Sequence, residues 1–539
     1  KHYLSGSGQA LTMGTIAPTT GKWYCEFTMG DPSGAGSDRS AVGIGDVYDV
    51  DIQGSGNADK TVMVSTSTAN RVWLTDSVES DDNFPARTTG SIIQFAWDMD
   101  NSKVWIGVNN QWCNSSGAVI PKSDVEVGNN ATVTDTGLTS VSPLNRWSAG
   151  ASITQTHYLN CGQDSSFSGY KTAQGNQDSN EIGDFYYTPP TGFLALCTSN
   201  LPDATVTPSE HFDVVTYTGT GSNQAVAVNF QPDFTWIKIR SDADGSVVAD
   251  SVRGATKFLS TTYTQAENTN SAFVSAFTST GLTLGGNRGT SESGRTYVAW
   301  NWKANGSGSS NTDGSINSTA TSANVDAGFS IVTYTGNATE GATVGHGLSK
   351  APEVMLVKKR SGAAGWYMYH SALGATKNIE MQVTSAVSTT SNIWNDTAPT
   401  SSVFSLGNNA AINGTGATFV SYCFHSVDGY SAVGSYTGNG NADGTFVYTG
   451  HRPAFILLKR TDSADGWVML DNERVGYNGG NNVLEANISD AEDSSVADRV
   501  DILSNGFKLR NSWSKINASS GNYIFISFAE TPFKNSNGR

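Results

Sequence analysis

Two carboxylates about 5 Å apart are what a retaining glycoside hydrolase needs, and a strand supplies them by same-face spacing such as Glu-x-Asp-x-x-Glu. No such run occurs in the 539 residues. Asp98 and Asp100 stand two apart, but they fall in the polar turn of a hairpin, where Asp accepts hydrogen bonds from nearby backbone. A serine nucleophile would need a Gly-x-Ser-x-Gly elbow on a strand-to-helix turn, and none is present. The seven histidines are scattered, and His346, His370, His425 and His451 read as ordinary surface or half-buried residues. Acidic turns such as Asp46-Val-Tyr-Asp-Val-Asp51 and Asp242-Ala-Asp244 place hard oxygens close enough to converge on calcium, although neither carries the full calcium-loop pattern. Structural calcium is therefore a candidate at these turns, and no other cofactor is expected.

Aromatic side chains offer recognition instead of reaction. Trp23, Trp97 and Trp105 lie on alternating runs and read as core. Trp73 and Trp112 stand nearer loops, where a ring beside polar groups can stack on a sugar or a protein patch. With Asp46 and Tyr48 of the neighbouring acidic loop, they are the candidate recognition residues.

Composition narrows the partners. Charged residues make up 15% of the chain and the net charge is −16, so a basic patch able to neutralise phosphates is not expected and nucleic acid is an unsuitable partner. The few short basic clusters, such as Lys358, Lys359 and Arg360, sit inside apparent strands. No stretch of about 18 apolar residues occurs, so membrane insertion by a helix is not expected. The sequence begins at Lys1 without a leader, and any signal or anchoring segment is expected to lie outside it. Five widely spread cysteines read as small buried hydrophobes.

The elements that must position these residues are strands. Gly and turn-forming polar residues punctuate short alternating runs throughout, which predicts an all-β chain, and the length implies several domains. Trp23-Tyr-Cys-Glu-Phe-Thr-Met29 alternates with period two. Ile93 to Met99 and Lys103 to Asn109 form a hairpin across Asp100-Asn-Ser102. Gly21-Lys-Trp-Tyr-Cys-Glu26, Val42-Gly-Ile-Gly45, that hairpin, Asn160-Cys-Gly-Gln163 with Phe167, and Tyr187-Thr-Pro-Pro-Thr-Gly-Phe-Leu-Ala-Leu196 together resemble the SPRY domain, in the same order. The resemblance covers residues 1–198 and implies a concanavalin-like antiparallel β-sandwich that binds proteins or glycans through loops at one edge, without catalysis. The loops from Asp31 to Asp38 and Asp46 to Gly56 are long and acidic and depart from the family pattern.

Beyond residue 198 one phrase recurs: Val215-Thr-Tyr-Thr-Gly219, Val332-Thr-Tyr-Thr-Gly336 and Gly434-Ser-Tyr-Thr-Gly438, at intervals of 117 and 102 residues. Each is followed by a proline-initiated apolar strand ending in basic residues, by a Gly-rich turn, and by a closing strand such as Tyr297-Val-Ala-Trp-Asn-Trp302. Three tandem β-sandwich repeats are predicted at 199–304, 328–428 and 429–539, with a flexible Gly/Ser/Asn-rich linker at 305–327. This modular string is similar to structural proteins of tailed phages, marine ones in particular. The expectation is a non-enzymatic protein of a virion surface or extracellular appendage: a tail fibre, adhesin or receptor-binding subunit presenting a lectin-like head. Its expected partners are a host-surface glycan or protein and other virion or appendage proteins, and a homo-oligomer is expected. The alternatives are a purely structural filament or capsid-decoration subunit and, after that, a concanavalin-fold polysaccharide hydrolase.

Overall fold

The structure, a computed structural model, describes residues 9–29, 40–47, 60–65, 72–74, 78–80, 84–134, 137–148, 157–474, 478, 481–495 and 499–535. It is all-β and divides into two units, Lys1–Pro202 and Asp203–Arg539.

In the first unit the alternation at Trp23 becomes the strand Lys22–Thr28, with Tyr24 and Glu26 on one face and Trp23, Cys25 and Phe27 on the other. It lies within an eight-stranded sheet whose main path runs Val119–Ile120, Gln111–Cys113, Lys103–Val108, Ile92–Asp98, Lys22–Thr28, Tyr158–Asn160. The register sets Trp23 opposite Trp97 and Cys25 opposite Phe95. Every residue of Ile92–Asp98 is buried, so this sheet is covered on both faces. On one face Tyr24, Ala96, Trp105 and Trp112 pack against Val125, Phe185, Phe193 and Ala195. The other face buries Trp23, Phe27, Phe95, Trp97 and Ile106, which places the three expected core tryptophans in the core. The second sheet has six strands in the order Gln9–Met13, Val141–Ser148, Ser40–Asp46, Thr61–Ser65, Val72–Leu74, Val78–Ser80.

In the second unit the three repeats share one topology. In the first, Phe212–Thr218, Thr296–Trp302, Phe234–Ile239 and Val247–Asp250 lie side by side. The matching strands are Phe329–Thr335, Thr418–Phe424, Val354–Lys359 and Trp366–His370, then Ser431–Thr437, Asn522–Pro532, His451–Arg460 and Trp467–Asp471. A small second sheet faces each large one, and Val226, Ile237, Leu282 and Tyr297, or Val344, Val357, Phe404 and Phe419, fill the space between. The recurring phrase closes this sandwich. Its tyrosine hydroxyl donates to a loop carbonyl in every repeat: Tyr217 to Thr290 at 2.8 Å, Tyr334 to Ile412 at 2.7 Å, Tyr436 to Ile516 at 2.8 Å. Its glycine is demanded by the same loop, because a Cβ on Gly219, Gly336 or Gly438 would meet backbone oxygen at 2.3, 2.6 and 2.4 Å.

The outer face of each large sheet joins a single core common to all three repeats, including Trp236, Trp300, Leu356, Tyr422, Leu457 and Ile526. Equivalent closing-strand residues Trp302, Phe424 and Phe528 meet in a triangle, with ring centroids 5.4, 5.7 and 6.4 Å apart. The repeats are therefore sectors of one closed, pseudo-three-fold ring, where the sequence suggested a string of separate bodies. The expected flexible linker is also ordered. Ala320–Asn324 pairs with Phe329–Thr335, Ser309 bridges Thr321, and Ile316 bridges Val344. Its Ser, Thr and Asn content reads as coil, yet a neighbouring strand edge supplies the ladder that composition cannot reveal.

Candidate functional site

The two nominated recognition residues whose side chains are described, Trp112 and Asp46, are both buried. Trp112 lies on the short strand Gln111–Cys113 and is buried, its ring 6.3 Å from that of Tyr24. Asp46 is buried too, accepting hydrogen bonds from the Thr139 backbone N–H and hydroxyl at 2.6 and 2.7 Å, so it fastens a loop and does not greet a ligand. The backbone of Trp73 pairs with Met63, and Tyr48 lies outside the described residues. Asp98 accepts from the Asn101 backbone at 3.1 Å, as a turn residue should. The Asp242 carboxylate is held by Arg288 at 2.7 Å and Arg295 at 2.9 Å, which supplies positive charge without an ion. His346, His370, His425 and His451 are buried, not surface residues, because each finds a polar partner inside. His451 reaches the Ser527 hydroxyl at 2.9 Å, and burial pushes its imidazole down to about 3.

What the first unit does display was not nominated. Tyr170 is 43% exposed and stacks on Tyr158, centroids 5.8 Å apart at 25°, with the Lys171 ammonium 6.0 Å from its ring. The loop beneath is built, residue by residue. Asp164 accepts from the backbones of Ser166 and Ser168 at 2.8 and 2.7 Å, while Ser165 Oγ accepts from Gln174 N at 2.9 Å. Buried Phe167 anchors the turn with φ at +49°. The loop is tied into the sheet through Asn160, whose Oδ1 accepts from Gly162 N at 2.8 Å and whose Nδ2 donates to Glu26 at 3.3 Å. Glu26 also accepts from Tyr24 Oη at 2.8 Å and from the backbones of Tyr186 and Tyr187 at 2.9 and 2.8 Å. Burial pushes its carboxyl up to about 7 against those donors. Glu26 and Asn160 are thus the supports of a loop that lifts one tyrosine into solvent, with a half-buried lysine beside it. The Gly-Tyr-Lys that follows Phe167 was the available signal.

In the second unit, ionisable groups are spent on seams between repeats. Lys238, Lys358 and Lys459 each stand six residues after the strand's proline, are buried, and donate to a backbone carbonyl of the neighbouring repeat: Ile488, Thr264 and Thr384 at 2.6, 3.2 and 3.1 Å. Burial lowers all three ammonium groups to about 8. Two seams add a carboxylate network. Between the third and first repeats Arg240 grips Glu492 through two bonds of 2.9 and 3.0 Å, Arg474 joins Glu492 and Asp471, and Trp300 Nε1 donates to Asp471 at 3.0 Å. Between the first and second, Arg360 grips Glu267 at 2.8 and 3.0 Å, Arg253 joins Glu267 and Asp250, and Tyr422 Oη donates to Asp250 at 2.6 Å. Burial raises the Glu267 and Glu492 carboxyls, but their arginines outweigh it and hold both below the usual range. The seam between the second and third has His370, Leu373, Val387 and Thr461 at the corresponding places, and beside Lys459 it keeps neutral contacts such as Val387 N to Thr461 O at 2.9 Å.

Residues 207–532 match the model of a family described as a domain of unknown function (DUF7483). No curated protein matches the chain. Among solved structures, the crystal structure of the SPRY domain of human HERC1 aligns with 28% of this chain and 82% of its own, at 13% identity and a TM-score of 0.22.

Proposed function

Because this chain belongs to the family described as a domain of unknown function (DUF7483), whose span is the three-repeat ring, we propose that the ring is a rigid scaffold in a non-enzymatic virion or surface-appendage protein. In this reading the first unit is the recognition element, taking a host-surface glycan or protein. The observation that carries it is the contrast in how polar groups are used. Lys238, Lys358, Lys459, Arg253 and Arg474 of the ring are committed to its seams, whereas the first unit holds Tyr170 outward on a fastened loop with half-buried Lys171 beside its ring. An exposed ring face beside an ammonium suits a sugar carrying a carboxylate, since stacking and charge act together. The resemblance of the modular sequence to tailed-phage structural proteins supports the setting.

The test is binding of the full chain and of its Tyr170→Ala variant to an array of bacterial surface glycans and to whole cells. Binding that falls about tenfold in the variant, a loss of about 1.4 kcal/mol, agrees with the proposal. Absence of binding to any cell-surface material by the full chain contradicts it. A purely structural role, as a filament or decoration subunit, is favoured by the closed ring alone and predicts ordered assemblies without cell binding.

A further inference from the structure

The three seams are linked by chain in different ways. Residues 425–430 join the second and third repeats directly, and residues 303–328 join the first and second. The third and first are joined by no peptide at all, and Arg240 and Glu492 are 252 positions apart. That seam is held by non-covalent contacts alone: the Arg240–Glu492 pair, the Glu492 N–H to Arg240 O at 2.8 Å, Lys238 to Ile488 O, Trp300 to Asp471, and the Thr261 hydroxyl to Ala486 O at 2.8 Å.

We infer that the third-to-first seam is also a self-association surface, in which the first repeat of one copy receives the third repeat of a second copy through these same contacts. Two features select that occupant. The two halves are complementary in charge, with Arg240 and Lys238 on one side and Glu492 on the other. An opened seam would also leave those buried groups unpaired, which strongly favours recapture of an identical partner face. Such exchange of an identical element is domain swapping, and its balance against the closed monomer is set by effective concentration. Reciprocal exchange closes as a dimer; successive exchange extends head to tail. The inference is independent of what the first unit recognises.

A charge exchange tests it on the full chain. Arg240→Glu and Glu492→Arg each mismatch the seam within their own copy, while the two variants are complementary to one another in both directions. Mixing them should convert chains of 56.8 kDa into species of twice that mass, read by light scattering after size exclusion, and the double variant should return to the mass of one chain. A mixture that stays at one-chain mass while the double variant regains the wild-type elution overturns the inference. Should the double variant not recover, the wild type decides: it is held concentrated at high salt and returned to low salt. Concentration-dependent dimer supports the inference, and monomer alone contradicts it.

Discussion

The first and second repeats meet across a seam that buries an Asp–Arg–Glu–Arg network, whereas the second and third meet across His370, Leu373, Val387 and Thr461, with the same backbone contacts and none of the carboxylates. The two repeats at the neutral seam are separated by six residues of chain. At that tether length the partner face is always near, and apolar packing with one lysine suffices. Where the connection is long or missing, buried charge supplies what the tether does not: a pairing that tolerates only its own complement, because a wrong neighbour leaves ions stranded.

The largest expected effect comes from stranding one of those ions. Arg253→Ala leaves Asp250 and Glu267 without their shared guanidinium and should cost about 3–5 kcal/mol. Leu373→Ala at the corresponding neutral position should cost about 2 kcal/mol. Denaturant unfolding followed by tryptophan fluorescence compares them, and equal losses would erase the distinction between seams.

Next comes a feature that should not distinguish the seams. Tyr436→Phe leaves the Ile516 carbonyl unpaired inside its repeat and should cost about 1–2 kcal/mol, and Tyr334→Phe the same through Ile412. Unequal losses would mean that ring contacts reach into the individual sandwiches.

Acid should act on the neutral seam first. Burial lowers the His370 imidazole to about 4 from an ordinary 6.5, so the folded state binds fewer protons than the unfolded one between those values. Stability from this group is complete above pH 6.5 and is lost as pH falls through about 4. The protection of the Val387 amide, measured against its intrinsic exchange rate at each pH, should therefore fall between pH 6.5 and 4 more than that of Glu267 or Glu492, whose amides hold the other two seams. The smallest effect is expected from Tyr170→Ala, an exposed change that should move stability by no more than about 0.5 kcal/mol while weakening recognition.

Much of the ring's local design was legible. The recurring tyrosine and glycine marked a closure that the structure repeats three times, and the proline-to-lysine strands lie where the alternation put them. What escaped was everything between repeats. Lys238, Lys358 and Lys459 recur at one offset inside apolar strands, and a buried cation implies a partner, but sequence does not say that the partner belongs to the next repeat. Period and turn chemistry describe a strand's own neighbours, so a shared core such as the Trp302–Phe424–Phe528 triangle leaves no periodic trace. The 305–327 segment failed for the related reason that its ladder is provided by Phe329–Thr335. In the first unit, Trp112 sits beside polar loop residues in sequence while its ring lies over Gly107 and under Tyr24 in space.

The closed ring is the claim on which the rest depends, and small-angle scattering of residues 203–539 measures it directly. A single body of that length predicts a radius of gyration of about 20 Å. A value of about 30 Å, as for three separate bodies in a row, would contradict the ring and with it the assignment of the buried charges to seams.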